Sequence, residues 1–127
     1  MIYLTPEEVI YIHDIVLKNS KWLTWLLNIG QIESLLTHIA NNDYYPTLTE
    51  KVTHLFFWLT QFHCFNDGNK RTAIITSFVF LIKNDIYIED YIIKMEDIAV
   101  WVAKWEIDKA TLLHIFKSMF ISFWFSE

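Results

Sequence analysis

Apolar residues recur at helical spacing along most of the chain. Thr5-Pro6-Glu7-Glu8 reads as a helix start, with Thr5 as the cap, a proline at the first helical position and a glutamate three residues after the cap. Val9, Ile12 and Val16 then form one apolar stripe, which predicts a helix to about Asn19. Trp22 to Leu27 is apolar but irregular, and Gly30 is expected to act as a stop before a short helix from Gln31 to about Ala40. Asn41-Asn42-Asp43-Tyr44-Tyr45-Pro46 is a loop by composition. A second capping box, Thr47-Leu48-Thr49-Glu50, precedes the stripe Val52, Leu55, Phe56, Leu59 and Phe62, with His63 one step further on the same face. Phe65-Asn66-Asp67-Gly68 is a turn. From Lys70 to Lys83 the apolar residues Ile74, Ile75, Phe78, Val79, Leu81 and Ile82 point in all directions, which predicts a buried central helix. Ile86, Tyr87 and Ile88, within the turn Asn84 to Asp90, allow a strand of a few residues. Two further helices follow, Ile92 to about Trp105 and Asp108 to about Trp124, the last with the stripe Leu112, Phe116, Met119, Phe120 and Phe123. The predicted fold is all-α, a bundle of six or seven helices around one buried helix.

Composition narrows the picture. At 127 residues and 15.3 kDa the chain fits a single domain spanning 1–127. An apolar fraction of 54% with two glycines and two prolines excludes disorder. The net charge of −5 speaks against bulk nucleic-acid binding, which needs a basic face. The longest stretch free of charged residues, Val52 to Asn66, falls short of the ~20 apolar residues of a membrane span. With no secretory signal in view and a lone cysteine, Cys64, a cytoplasmic location is expected. The share of apolar and aromatic residues is large for so small a body. Most of the six tryptophans are expected in the core. Trp22, Trp25, Tyr44, Tyr45, Trp124 and Phe125, in irregular or terminal segments, are candidates for a partner surface instead.

One segment concentrates chemistry. His63-Cys64-Phe65-Asn66-Asp67-Gly68-Asn69-Lys70-Arg71 joins an amphipathic helix to the predicted buried one. Lys70 and Arg71 fall in that helix's first turn, where the macrodipole disfavours each cation by about 0.3–1 kcal/mol. With the backbone amides of the helix start, opened by Gly68, they make an anion pocket suited to phosphate. Asp67 beside it can hold a magnesium ion that bridges phosphate oxygens, and His63 can accept a proton from an attacking hydroxyl. Taken singly, each group has a plainer reading: Asp67 and Asn69 as helix caps, His63 as a core histidine, Lys70 and Arg71 as a solvated face. No structural rule asks for all of them at once. Cys64 reads as a small buried hydrophobe, and His13, His38, His54 and His114, scattered without metal-ligand spacing, as structural or surface residues.

His63-x-Phe65-x-Asp67-Gly68-Asn69-Lys70-Arg71 resembles the Fic/Doc family signature H-x-F-x-(D/E)-(G/A)-N-x-R. Leu4-Thr5-Pro6-Glu7-Glu8, Ile12-His13-Asp14, Gly30-x-Ile32-Glu33-Ser34 and Thr72-Ala73 resemble its death-on-curing (Doc) branch, so the likeness covers nearly the whole chain. In the nucleotidylating branch the motif continues with a glycine where this chain has Lys70 and an arginine where it has Ile74, and both departures are those of the Doc branch. The resemblance implies a toxin that passes the γ-phosphate of ATP to a threonine of elongation factor Tu and arrests translation. It gives His63 the role of base, Asp67 that of magnesium ligand, Asn69, Lys70 and Arg71 the phosphates, Gly68 the close backbone approach, and Phe65 an anchor in the core. Self-inhibited relatives carry (S/T)-x-x-x-E-(G/N), which no window of this chain matches, so inhibition is expected in trans from an antitoxin. Two other readings stand beside the kinase: transfer of a nucleotidyl (AMP) group to a protein hydroxyl, and a non-catalytic nucleotide-binding module.

Overall fold

The first capping box forms in full, and in the second Thr47 caps α3 while Glu50 reaches the Thr47 hydroxyl and not its backbone N–H. The Thr5 backbone N–H donates to Glu8 Oε1 at 3.0 Å and the Glu8 N–H to Thr5 Oγ1 at 3.2 Å. The Glu50 N–H donates to Thr47 Oγ1 at 3.2 Å, while the Thr47 hydroxyl donates to Glu50 Oε1 at 2.9 Å. A third cap, Asp108 Oδ1, takes the Thr111 N–H at 2.8 Å. These starts punctuate a computed structural model that describes residues 1–17, 29–61 and 68–125. Among them six helices follow in order: α1 (Pro6–Leu17), α2 (Ile29–Ile39), α3 (Leu48–Gln61), α4 (Asn69–Lys83), α5 (Tyr91–Ala103) and α6 (Lys109–Phe125). The fold is all-α.

The buried centre is shared by two helices. α4 packs on α1, α3 and α5, burying Ala73, Ile74, Phe80 and Leu81, although Ile82 near its end is 45% exposed. α3 packs on α2, α4, α5 and α6, and its predicted stripe Val52, Leu55, Phe56 and Leu59 is fully buried. Phe62, the last member of that stripe, lies outside the described residues. Phe116 of α6 meets Phe56 edge to face with ring centroids 5.9 Å apart, so α6 closes the core over α3. Ser77 on α4 and Tyr91 at the start of α5 share a buried 2.6 Å hydrogen bond, and burial pushes the Tyr91 phenol well above its ordinary pKa.

Lys51 is buried beside that stripe. Its ammonium donates to the Ile39 carbonyl at 2.7 Å and to Asn42 Oδ1 at 2.8 Å, so it caps the C-terminus of α2, where the macrodipole favours a cation. Glu8 bridges to Lys83 at 3.0 Å, tying the start of α1 to the end of α4. The Thr5 backbone N–H and then Lys83 hold the Glu8 carboxyl below the usual range.

Four expectations change. Gly30 is no stop but sits in the first turn of α2, where the absence of a side chain costs little because the first amides have no helical partner in any case. Ile86, Tyr87 and Ile88 keep their inside-outside alternation, with Ile86 and Ile88 buried and Tyr87 exposed, but there is no strand among the described residues. A lone extended segment without a neighbour to pair with remains a loop. Among the described residues two tryptophans expected in the core lie outside it, Trp101 and Trp105 being 44% and 66% exposed, while Trp124, a candidate for a partner surface, is 68% exposed. Trp105 lies beyond the end of α5 with φ 62°, where its ring covers Phe57 edge-on instead of entering the core. Tyr45 is half-buried rather than displayed, while its neighbour Tyr44 is exposed. Trp22 and Trp25 lie outside the described residues.

α4 ends in a left-handed cap. The Asp85 N–H donates to the Ile82 carbonyl at 3.0 Å and the Ile86 N–H to the Leu81 carbonyl at 2.9 Å, with Asp85 at φ 65°. Glycine adopts this conformation without the Cβ clash that Asp85 carries. Asp85→Gly is expected to raise stability by about 0.5–1 kcal/mol in denaturant unfolding.

A polar cluster ties α2, the following loop, α3 and α6 together. His54 Nδ1 is 3.1 Å from the Tyr45 hydroxyl and 2.7 Å from Lys109 Nζ, and the His54 ring stacks on Tyr45 and lies 5.3 Å from His38. Burial first, then the charges of Lys109 and His38, hold the His54 imidazole down at about 4. The unfolded chain binds this proton below about pH 6.5 and the native state only near pH 4. The His54 contribution is therefore complete above pH 6.5 and is lost as pH falls toward 4. Discounted for the ring's partial exposure, the loss is expected at about 1–2 kcal/mol, and His54→Gln is expected to flatten that part of a stability-against-pH curve.

Candidate active site

The turn into α4 depends on Gly68. Its backbone sits at φ 75°, ψ 14°, the left-handed region that glycine enters without strain. The Gly68 carbonyl takes the Thr72 N–H at 2.9 Å and so starts the helix. Glycine is the cap residue and supplies no side-chain bond to the first amides. Asn69 is the first residue of α4 and not its cap, which removes the plainer reading of that side chain as a helix cap.

Lys70 and Arg71 follow at once and are exposed. No acidic residue stands in the first turn of α4, and neither cation is ion-paired among the described residues. Two charged side chains, the amides of the helix start and the macrodipole thus act in one direction, in a chain whose net charge is −5. Such an end can hold phosphate groups. His63, Cys64, Phe65, Asn66 and Asp67 lie outside the described residues. Of the predicted site residues, the structure brings Gly68, Asn69, Lys70 and Arg71 together at one helix end.

A cavity of about 420 Å³ opens beside this end, between Lys70, Arg71 and Ile74 of α4 and Ile92, Glu96 and Val100 of α5. Ile74, one turn after Lys70, is buried and gives the cavity an apolar wall close to its cationic edge. Ile92, Glu96 and Val100 are spaced by four residues and line one face of α5, so Glu96 puts a carboxylate on the opposite wall. A larger cavity of about 560 Å³, between Tyr87, Ile88 and the end of α6, has Lys94 and Glu89 on its lining but no helix start carrying cations. By chemistry the smaller cavity is the better match to a phosphorylated ligand.

Sequence reasoning did not assign Ile92, Glu96 and Val100 to this wall, because which face of α5 meets α4 is settled by packing. Nor did it join His38, Tyr45, His54 and Lys109, which are distant along the chain. No helix among the described residues is long and apolar enough to cross a membrane, and no group of three or more metal-binding side chains occurs among them.

Comparison with known proteins agrees with the motif. The model of the Fic/DOC family matches residues 3–81. The chain is 26% identical over 123 residues to the protein kinase doc of Escherichia phage P1, an alignment that covers 94% of this chain and 97% of that protein.

Proposed function

The chain belongs to the Fic/DOC family, and from that premise we propose that it is a toxin-type protein kinase that transfers the γ-phosphate of ATP to a threonine hydroxyl of elongation factor Tu. The observation that carries this reading is Lys70 within an otherwise intact His63-to-Arg71 motif, together with Ile74 three residues beyond it. A lysine stands where nucleotidyl transfer needs room for the α-phosphate. An apolar wall stands where it needs a second arginine for the terminal phosphates.

In the proposed reaction the threonine oxygen attacks the γ-phosphorus, the bond from that phosphorus to the β–γ bridging oxygen breaks, ADP leaves, and the hydroxyl proton passes to His63. Phosphoryl transfer is mostly positioning and charge stabilisation. Lys70 and Arg71 neutralise charge on the phosphates, Asn69 donates to them, and Gly68 lets the backbone amides come close. Asp67 is the one carboxylate of the motif, and a single carboxylate plus substrate phosphates is a donor set that magnesium takes. Bound there, the ion would supply further neutralisation of phosphate charge. In the same reading an antitoxin inhibits in trans.

The test is incubation with magnesium, elongation factor Tu and ATP labelled at the α- or the γ-phosphorus. Label retained from the γ position is expected. Label from the α position would replace the kinase by a nucleotidyl transferase, and nucleotide binding without either label would leave a binding module.

A further inference from the structure

The His38, Tyr45, His54 and Lys109 cluster has an imbalance of charge that the proposed kinase does not use. Lys109 is the first residue of α6, where the macrodipole disfavours a cation just as it does at Lys70. It is half-buried, and its ammonium donates to two neutral groups, His54 Nδ1 at 2.7 Å and the Tyr45 hydroxyl at 3.5 Å, while standing 5.0 Å from the Tyr45 ring centre. No described carboxylate is ion-paired with it. The nearby acids are held by other partners: Asp108 Oδ1 takes the Thr111 N–H, and Glu50, which lines an adjoining cavity together with Lys109, accepts from the Thr47 hydroxyl. Burial lowers the pKa of Lys109, and His54 is lowered too, so the site resists each proton it holds.

On the α2 side of this cluster lies a cavity of about 370 Å³, lined by Ser34, His38, His54, Trp58 and Lys109 among others. We infer that this cavity binds a small oxyanion, a phosphate or a carboxylate, with Lys109 as its counter-charge and His38, His54 and Ser34 as hydrogen-bonding partners. An ammonium and two imidazoles converge on it, and Ser34 adds a hydroxyl. It is a separate place from the motif, since His54 lies about two turns before the described end of α3. Because an anion favours the protonated His54 imidazole, binding takes up a proton and strengthens as pH falls toward the His54 value of about 4.

The experiment follows the imidazole resonances of His38 and His54 in the full chain through a pH titration, without added anion, with inorganic phosphate and with acetate. Phosphate is expected to move the His54 midpoint up by about one to three pH units. Lys109→Gln is expected to abolish most of that movement, Lys109→Arg to keep it, and Arg71→Ala, which alters the other anion site, to keep it as well. Acetate acting as strongly as phosphate assigns the site to carboxylates, and phosphate acting alone assigns it to phosphates. A His54 midpoint that neither anion moves in the folded protein overturns the inference, as does an equal shift in Lys109→Gln.

Discussion

His63→Ala is expected to slow phosphoryl transfer to elongation factor Tu by about 10²–10⁴-fold, the range in which a positioned proton acceptor contributes to rate. The threonine hydroxyl is a weak nucleophile until its proton has somewhere to go, and His63 is the motif residue whose ordinary pKa, near 6.5, suits that task at neutral pH. The cationic groups that would bind nucleotide, Lys70 and Arg71, belong to α4 and are untouched by the substitution, so the variant is expected to keep its affinity for ATP. A rate of label transfer from the γ position, measured beside nucleotide binding and thermal unfolding, separates these effects. An unchanged rate in a folded, nucleotide-binding variant would remove His63 as the base.

Phe116→Ala is expected to cost about 3–5 kcal/mol of stability, the usual penalty for emptying a fully buried aromatic site. Phe116 has no exposed surface, and its ring meets Phe56 of α3 at 5.9 Å, Phe120 at 6.4 Å and Tyr91 of α5 at 6.5 Å. Three helices therefore share one side chain, and the cavity left behind cannot be filled by a small shift of any of them. Set against a typical total of about 5–15 kcal/mol, the loss should bring the unfolding midpoint in denaturant down sharply with little change in slope. Phe116→Leu, which keeps most of the volume, is expected to lose far less. A loss under about 1 kcal/mol for Phe116→Ala would contradict the place given to α6 in closing the core.

Much of this was readable from the residues. Capping boxes act locally, so Thr5 with Glu8 and Thr47 with Glu50 announced the starts of α1 and α3 before any packing was known. Stripes such as Val52, Leu55, Phe56 and Leu59 gave the inward faces, because burial follows helical spacing. The cations Lys70 and Arg71 stood out by breaking a local rule at the start of α4. What sequence left unread came from contacts between distant segments. A lysine next to a stripe reads as solvated, yet Lys51 is drawn inside by the end of α2. His38, His54 and Lys109 carry no shared motif and meet only because α2, α3 and α6 pack side by side. Trp101 falls outside the buried stripe of α5 that carries Ala99 and Val102 and is left exposed, and Trp105 lies past the helix end against Phe57.

In the proposed reaction this chain moves a phosphoryl group, and not a nucleotidyl group, onto a protein hydroxyl. Intact-mass measurement of elongation factor Tu after incubation with the chain and magnesium-ATP reads this directly. A mass gain of one phosphoryl group is expected, absent with His63→Ala. A gain of one adenylyl group, or no gain from a protein that binds ATP, would contradict that reaction.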